Sequence, residues 1–541
     1  MSVLTAVAAL AAVAPTAAQA DDSSTLTVVG TSDVYDSNLV QSVIKPGFEK
    51  AYPGVTLNYV SKGTGAAITY AEAGSASALI VHAASLENQF VADGYSAEKY
   101  GRAIFYGDYV LLGPANDPAG VLTSDKHDIV GAFEKIAAAG AAGHANFVSR
   151  GGTPGTTVQE HAIWKLTNGV TTCTVSDANG GGTTPSTATG ACPSDITQAK
   201  TPSWYQATGL TQGPNVINAD ACNYSGGGCY VFTDRGTFQY LESQKSLSKL
   251  GIVTRDNAAS ARGGNTLLVN SFHAYAINPA KFAGNSNVQI NSTAAHQFLT
   301  WLTSPTAQAA VGNYLAKSSD GPPFLPDAAP VISTSAIPKN VYGGGKITIT
   351  GTVRNVVPGT PALSGVKVVL RGPLTLPGST SNVFATATTN SAGRFSISYQ
   401  PLGTRAYVTL SVGAITKIEN AGLKPQFGDL LSATTTARSA RVTVHGRVSI
   451  TSLDGDKGSV TGSVALLPGV HYQRGLLQLY AARVGSKAAL HYVAQRSVAR
   501  GQNSRSFTFA LPRGKWRVQF RYVNNGVLAS AASGVHTRTV R

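Results

Sequence analysis

The spacing of apolar and polar residues changes along this 541-residue chain. From Thr25 to Pro326, short apolar runs alternate with stretches in which apolar residues recur every three or four positions. The strand-like runs are TLTVV (25–29), VTLNYV (55–60), SALIVHA (77–83), DYVLLG (108–113), ANFVS (145–149), YVFTD (230–234) and TLLVNSFHAYAI (266–277). Helix-period runs include DIVGAFEKIAAAG (128–140) and TAAHQFLTWLTSPTAQAAV (293–311). This alternation predicts α/β units on mainly parallel sheets. Beyond about residue 346 the period falls to two, in KITITGTVRNVV (346–357), GRFSISYQ and AYVTLSVG, then GSVTGSVALL and KWRVQFRYV. Turn signals at short intervals between these runs predict two β-sandwich units, 346–437 and 438–541. PDAAPVISTSAIPKN reads as linker, with the boundary region at 329–345.

Length allows two to four domains at roughly 100–200 residues each. The composition, 43% hydrophobic and 13% charged, is globular. A net charge of +15 suggests nucleic acid until it is located. Residues 21–328 carry 17 Lys+Arg and 23 Asp+Glu, whereas 329–541 carry 25 and 4. The basicity belongs to the tail.

The opening MSVLTAVAALAAVAPTAAQADDSS has an apolar stretch and then Ala18-Gln19-Ala20, a small-x-small cleavage signal. A signal peptide over residues 1–20 is expected, with export to an extracellular or cell-envelope space; an Ala-rich helix is the alternative. The departure is a missing basic n-region. Four cysteines agree with an oxidising compartment, and the local closures Cys173–Cys192 and Cys222–Cys229 are favoured among three pairings. Zinc is the rival, but no C-x-x-C occurs and the nearby histidines lack ligand spacing. The Thr-, Ser- and Gly-rich stretch 168–202 reads as a stapled surface insertion.

In α/β sheets ligands sit beyond the carboxyl ends of strands, against helix N-termini. Three strand-to-helix turns carry suitable donors. Thr31 and Ser32 follow the first strand; they serve an anion or simply cap a helix. Ser149 and Arg150 end another strand, before Gly151, Gly152 and Gly155 and then Thr156 and Thr157. A capping box explains the threonines but not the guanidinium. The third turn, YVFTDRGTFQY (230–240), repeats the pattern with Asp234 and Arg235. An enclosed dianion must be surrounded by donors, because burying an unpaired ion is very costly. Arg forks and helix N-termini supply them. SKGTG (61–65) is a further glycine turn able to lend N–H groups, and His82 reads as a packed, hydrogen-bonded histidine. Trp164, Trp204 and Trp301 read as core.

GTSDVYDSNL, SKGTGAAI, ALIVHAASLENQFVADGY, YGDYVLLGPANDPAG, NFVSRGGTPGTTVQEHAIW, WYQATGLTQG, YVFTDRGTFQ, NSFHAYAINP and FLTWLTSPTAQ occur in one order over about 25–328. In this order the chain resembles the tungstate-binding proteins of ABC importers. The resemblance implies an α/β two-lobed periplasmic-binding-protein fold, type II-like, over 21–328. The oxyanion would lie between the lobes, with crossings near 105–113 and 266–278. It carries ligand binding onto Thr31, Ser32, Ser149, Arg150, Gly155, Thr156 and Arg235, and implies a membrane permease as partner; a monomer without a cofactor is expected. Gly152 and Pro154 depart from the family's Asp and Ser, and Pro154 removes one N–H donor. The tail only loosely resembles Ig-like modules.

The leading function is capture of tungstate, or molybdate, for import. Phosphate or sulfate binding is the alternative. A distant one is a secreted, wall-associated adhesin or structural protein. An enzyme is not indicated, since H-E-x-x-H, G-x-S-x-G and a complete P-loop do not occur. For an exported chain, the tail's charge points to the anionic cell envelope and not to nucleic acid, with generic solubility as the plainer reading.

Overall fold

The computed structural model describes residues 24–541 apart from 177–180, 188–190, 343–344, 359–361, 373–381, 401–408, 421–426, 439–441, 446–447, 467–474, 500–503 and 525–529. The leader expected over 1–20 lies outside the described residues. The chain divides into two compact units, the first running to Leu325 and taking in Asn420–Phe427, the second made of Pro326–Glu419 and Gly428–Arg541.

The first unit opens with β1 (Ser24–Thr31), α1 (Ser32–Asp36), a π-helical turn and α2 (Lys45–Ala51). It continues with β2 (Val55–Lys62), α3 (Thr64–Glu72), β3 (Ala78–Val81), α4 (Ala84–Ala92), β4 (Gly101–Pro114) and α5 (Ile129–Ala141). Next come β5 (Ala145–Ser149), α6 (Gly155–Trp164), β6 (Thr172–Val175), β7 (Gly182–Pro185), β8 (Tyr205–Ala207), α7 (Gln212–Ala221) and β9 (Gly228–Asp234). The unit closes with α8 (Arg235–Ser243), β10 (Leu250–Thr254), β11 (Val269–Ala276), α9 (Ser292–Leu302), α10 (Pro305–Asn313) and β12 (Leu325–Pro326).

Strand β4 makes this unit two-lobed. Its first half, Arg102–Asp108, pairs antiparallel with β11 in the sheet β2-β1-β3-β11-β4. Its second half pairs with β9 from Tyr109 and with β10 to Pro114, in the sheet β10-β4-β9-β5-β8. β11 also pairs antiparallel with β3, whereas the pairs of β1 with β2 and β3 and of β5 with β8 and β9 are parallel. Both sheets are covered on both faces, so consecutive strand residues feed opposite cores. Val28 joins Leu26, Phe48, Phe298 and Trp301, while Val29 joins Leu79, Val81 and Phe90. In the second lobe Phe147 packs with Phe133, Trp164 and Trp204, and Val148 with Val110, Val216 and Val231.

Two predicted elements differ. The single helical run 293–311 is two helices, because Pro305 cannot donate to the preceding turn and Ser304 caps the new helix through Ala307 N. The strand expected from Thr266 starts at Val269, after a 3-10 turn over Gly264–Thr266. In the insertion, β6 and β7 form an antiparallel hairpin that packs on α6. Disulfides join Cys173 to Cys192 and Cys222 to Cys229, with Cα separations of 5.5 and 5.6 Å.

The second unit is described in strands alone. These are β13 (Val331–Thr334), β14 (Asn340–Tyr342), β15 (Ile347–Arg354), β16 (Lys367–Arg371), β17 (Val383–Thr388), β18 (Arg394–Tyr399) and β19 (Thr409–Val412). Then follow β20 (Ile415–Asn420), β21 (Phe427–Leu431), β22 (Thr435–Arg438), β23 (Thr443–His445), β24 (Val448–Asp456) and β25 (Ser459–Leu466). The last are β26 (Gly475–Arg483), β27 (His491–Val498), β28 (Ser504–Ala510), β29 (Gly514–Asn524), β30 (Ala531–Ala532) and β31 (His536–Val540). Sheets β13-β15-β18 and β17-β16-β19-β22 come first. Later, β24-β25-β28 and β27-β26-β29, with β30 and β31 on β29, share one core. That core takes Val460, Phe507 and Phe509 from one sheet and Leu477, Leu479, Val518 and Phe520 from the other.

Candidate functional site

The turns after β1, β5 and β9 and the start of α3 and α7 meet where the two lobes face each other. α1 packs against α7 and α8. Gly213 N donates to Asp36 Oδ2 at 2.8 Å, and Gly65 N to the Thr153 carbonyl at 3.2 Å. Each bond joins one lobe to the other.

Thr31 and Ser32 lie fully inside this junction, at the start of α1. The Ser32 hydroxyl meets no hydrogen-bond partner among the described residues, and neither does that of Thr64 at the start of α3. Neither is capping its helix. The Thr31 hydroxyl leans on the Asp33 carboxylate without closing a well-formed bond. Arg150 is 7% exposed. Its Nε donates to the Leu210 carbonyl at 3.2 Å and its Nη1 to Gln212 Oε1 at 2.8 Å. Gln212 also accepts from Thr156 Oγ1 at 3.0 Å and donates to Thr233 Oγ1 at 2.6 Å. This glutamine fixes the arginine and the threonine together.

The glycines of the turn serve two different ends. Gly151 and Gly152 both have φ +66°, a left-handed conformation that side chains disfavour. Gly155 opens α6 behind Pro154, and what it needs is the absence of a Cβ. An added Cβ would lie 2.3 Å from His82 Cε1, across the junction. His82 cannot yield, because its Nε2 faces Asp33 Oδ2 at 3.0 Å and its Nδ1 meets Tyr109 OH at 2.9 Å. Gly155→Ala is therefore expected to oppose the meeting of the lobes by about 1–3 kcal/mol, the usual cost of overpacking. Calorimetry should read this as weaker ligand binding, with the ligand-free melting temperature nearly unchanged.

Charge at the junction is divided unevenly. Burial pushes the Asp33 carboxyl up, but His82, Thr31 and Arg150 outweigh it and hold it below the usual carboxylate range. Burial likewise pulls His82 down, and Asp33 more than restores it. Asp234 is pushed up to about 7, by burial first and then by the Asp33 charge. Asp36 is raised by burial. Burial also lowers Arg150, although Asp33, Asp36 and Asp234 work against it.

Not every expected residue reaches this place. Ser149 Oγ donates to Glu160 Oε2 at 2.8 Å and accepts from Gly151 N, so its hydroxyl supports the turn. Arg235 departs further. Its Nε pairs with Asp108 Oδ1 at 2.6 Å, and its Nη1 donates to the Asp320 carbonyl at 2.7 Å. The structure gives it to Asp108 on the crossing strand and to the chain that follows α10. Conversely, Gln212, Tyr109 and the Asp33–His82 pair belong to the junction without having been singled out as ligand contacts. Gln212 stands in the motif WYQATGLTQG, which was the available signal.

Glu160 supports the same turn from behind. It accepts from Ser149, Tyr205 OH and Trp164 Nε1 and is fully buried. Burial raises its carboxyl to about 7 against those three donors. A carboxyl raised in the folded state gives stability that is complete below its unfolded value and lost as pH rises through 7. Glu160→Gln should therefore flatten the fall in melting temperature between pH 5 and pH 8, as followed by calorimetric scans; an unchanged slope would refute this assignment.

Among the described residues, no group of three or more His, Cys, Asp or Glu is placed to hold a metal ion. No helix among them is long and apolar enough to cross a membrane. An anion-binding protein assigned to an ABC transporter in Haloferax volcanii is 32% identical over 303 residues, 56% of this chain and 72% of its own length. The tungstate-binding protein TupA of Peptoclostridium acidaminophilum is 30% identical over 299 residues, 55% of this chain and 84% of its own length. A crystal structure of the tungstate ABC transporter from Geobacter sulfurreducens is 26% identical, covering 54% of this chain and 100% of that one, with a TM-score of 0.40. Residues 15–306, more than half of the chain, match the PBP superfamily domain, and the chain belongs to that superfamily.

Proposed function

We propose that the first unit captures a bare tetrahedral dianion, tungstate or molybdate, and hands it to the membrane permease of an ABC importer outside the cytoplasm. The observation that carries this reading is Arg150, buried at the junction with its Nη2 donating to no described residue, beside buried hydroxyls without partners. First-turn N–H groups of α3 and α6 add donors of the same sign. Thr31, Ser32, Arg150, Gly155 and Thr156 remain the contacts proposed for the ligand, joined by Thr64. Relatives named as anion- and tungstate-binding proteins support the same reading.

The arrangement of acceptors favours an unprotonated ligand. Monohydrogen phosphate needs an acceptor for its proton, and a site lacking one rejects it strongly. Asp33 Oδ1 accepts from Val34 N at 3.0 Å, and its Oδ2 lies 3.0 Å from His82 Nε2, an imidazole that competes with a ligand proton for this carboxylate. Asp234 accepts from Thr237 N at 2.8 Å and holds its own proton near neutrality. Calorimetry of the full chain with tungstate, molybdate, sulfate and phosphate tests this. Tungstate or molybdate should bind at least about 100-fold tighter than phosphate, in line with the penalty for an unpaired polar group. Binding of phosphate or sulfate alone would overturn it.

The same proposal places the binding domain at 21–328 and treats 346–437 and 438–541 as two Ig-like sandwiches. The shared core of the last two sheets supports the sandwich reading for the second of them.

A further inference from the structure

Oxyanion capture leaves one outward sheet face of the second unit without a role. Along β29, Trp516, Val518, Phe520 and Tyr522 enter the core. Lys515, Arg517, Gln519 and Arg521 alternate with them on the other face. Strand geometry spaces successive members of this row by about 7 Å. On β26, Gln478 lies between Gln495 and Arg521, and Tyr480 between Tyr492 and Gln519.

These side chains are ordered by one another. The Arg521 guanidinium stacks on the Tyr480 ring at 4.0 Å, and its Nε donates to Gln519 Oε1 at 3.1 Å. Tyr480 and Tyr492 meet edge to face at 6.0 Å, with Tyr492 48% exposed. Gln478 Nε2 donates to Gln495 Oε1 at 3.3 Å. No carboxylate among the described residues forms an ion pair with Lys515, Arg517 or Arg521. Neutralisation has to come from outside, in a region with 25 basic and only 4 acidic residues.

We propose that this face binds a linear acidic polysaccharide. The exposed Tyr492 ring offers flat apolar surface to the C–H faces of sugars, and the amide pair offers donors and acceptors to hydroxyls. The cation row meets carboxylates along an extended chain, with arginine able to pair through two N–H groups. A phospholipid surface would use the cations but not the aromatic and amide rows, and is the competing occupant.

The test uses the full-length protein with polygalacturonate, neutral pullulan and phosphatidylglycerol vesicles as probes, read by affinity electrophoresis and vesicle sedimentation. Polygalacturonate should retard the protein, and raising salt from about 50 to about 300 mM should weaken this several-fold by screening. Lys515→Gln and Arg521→Gln should each weaken it about fivefold, the scale of one exposed charge contact. Tyr492→Ser should weaken it by a similar factor with an unchanged salt slope, since no charge is lost. Lys515 and Tyr492 are exposed, so these two variants keep the test valid if Arg521→Gln lowers the melting temperature. Equal retardation by pullulan, tighter binding to vesicles than to polygalacturonate, or variants indistinguishable from the parent would overturn the proposal. Tungstate calorimetry on the same variants should be unchanged, which separates this surface from the oxyanion reading.

Discussion

Arg150→Ala is expected to weaken tungstate binding by at least about 100-fold, the scale on which removing one partner of a buried charge pair is felt. The reason lies in what remains. Asp33, Asp36 and Asp234 all act on this guanidinium. Without it, the ionised Asp33 faces a dianion with less to offset it. Arg150→Lys should recover part of the loss, since it restores the charge but not the planar fork shared by Leu210 and Gln212. In the alanine variant, residual affinity should improve as pH falls below 7 and Asp234 takes up its proton. Calorimetry at pH 5.5 and 7.5 checks all three statements. Unchanged affinity in the alanine variant would show that the ligand lies elsewhere.

The turn between β5 and α6 was legible because its constraints are local. A strand end, two glycines that both prove to need φ +66°, and a guanidinium without a capping use fall within a few residues of one another. The two-lobed architecture was less so. DYVLLG is only the second half of β4, a 14-residue strand, and its first half serves the other sheet. What reads as one strand is the joint between lobes, visible only once both pairings exist. The Asp33–His82 pair and Gln212 are harder still. Their roles come from partners 49 and 62 residues distant, and a single chain read in order carries no sign of such a pairing. Gly155 is expected from the sequence as a ligand contact in the glycine turn; the structure adds that it leaves room for an imidazole from the other lobe.

Arg235 leads to the second large effect. Its local setting copies that of Arg150, a strand end followed by Gly and Thr, but its contacts are remote. Its partners lie 127 residues earlier, at Asp108 on the crossing strand, and 85 and 86 residues later, at the Asp320 and Gly321 carbonyls. Arg255 reaches the same Asp320 through Oδ1 at 2.7 Å. The guanidinium thus ties the chain leaving α10 to the strand that joins the lobes. Asp108 is raised by burial, with Arg235 the chief opposing influence, so losing the arginine strands a carboxyl that cannot be well solvated. Arg235→Ala should cost about 3–5 kcal/mol, as for other buried pairs broken on one side. A drop in melting temperature together with near-parental tungstate affinity in the folded fraction is the expected result. Asp108→Asn in the Arg235→Ala background should recover stability, because the stranded charge is then gone. If instead Arg235→Ala melts like the parent and loses tungstate, the residue belongs to the ligand after all, and the oxyanion is held by two guanidinium groups in a conformation with the lobes set differently.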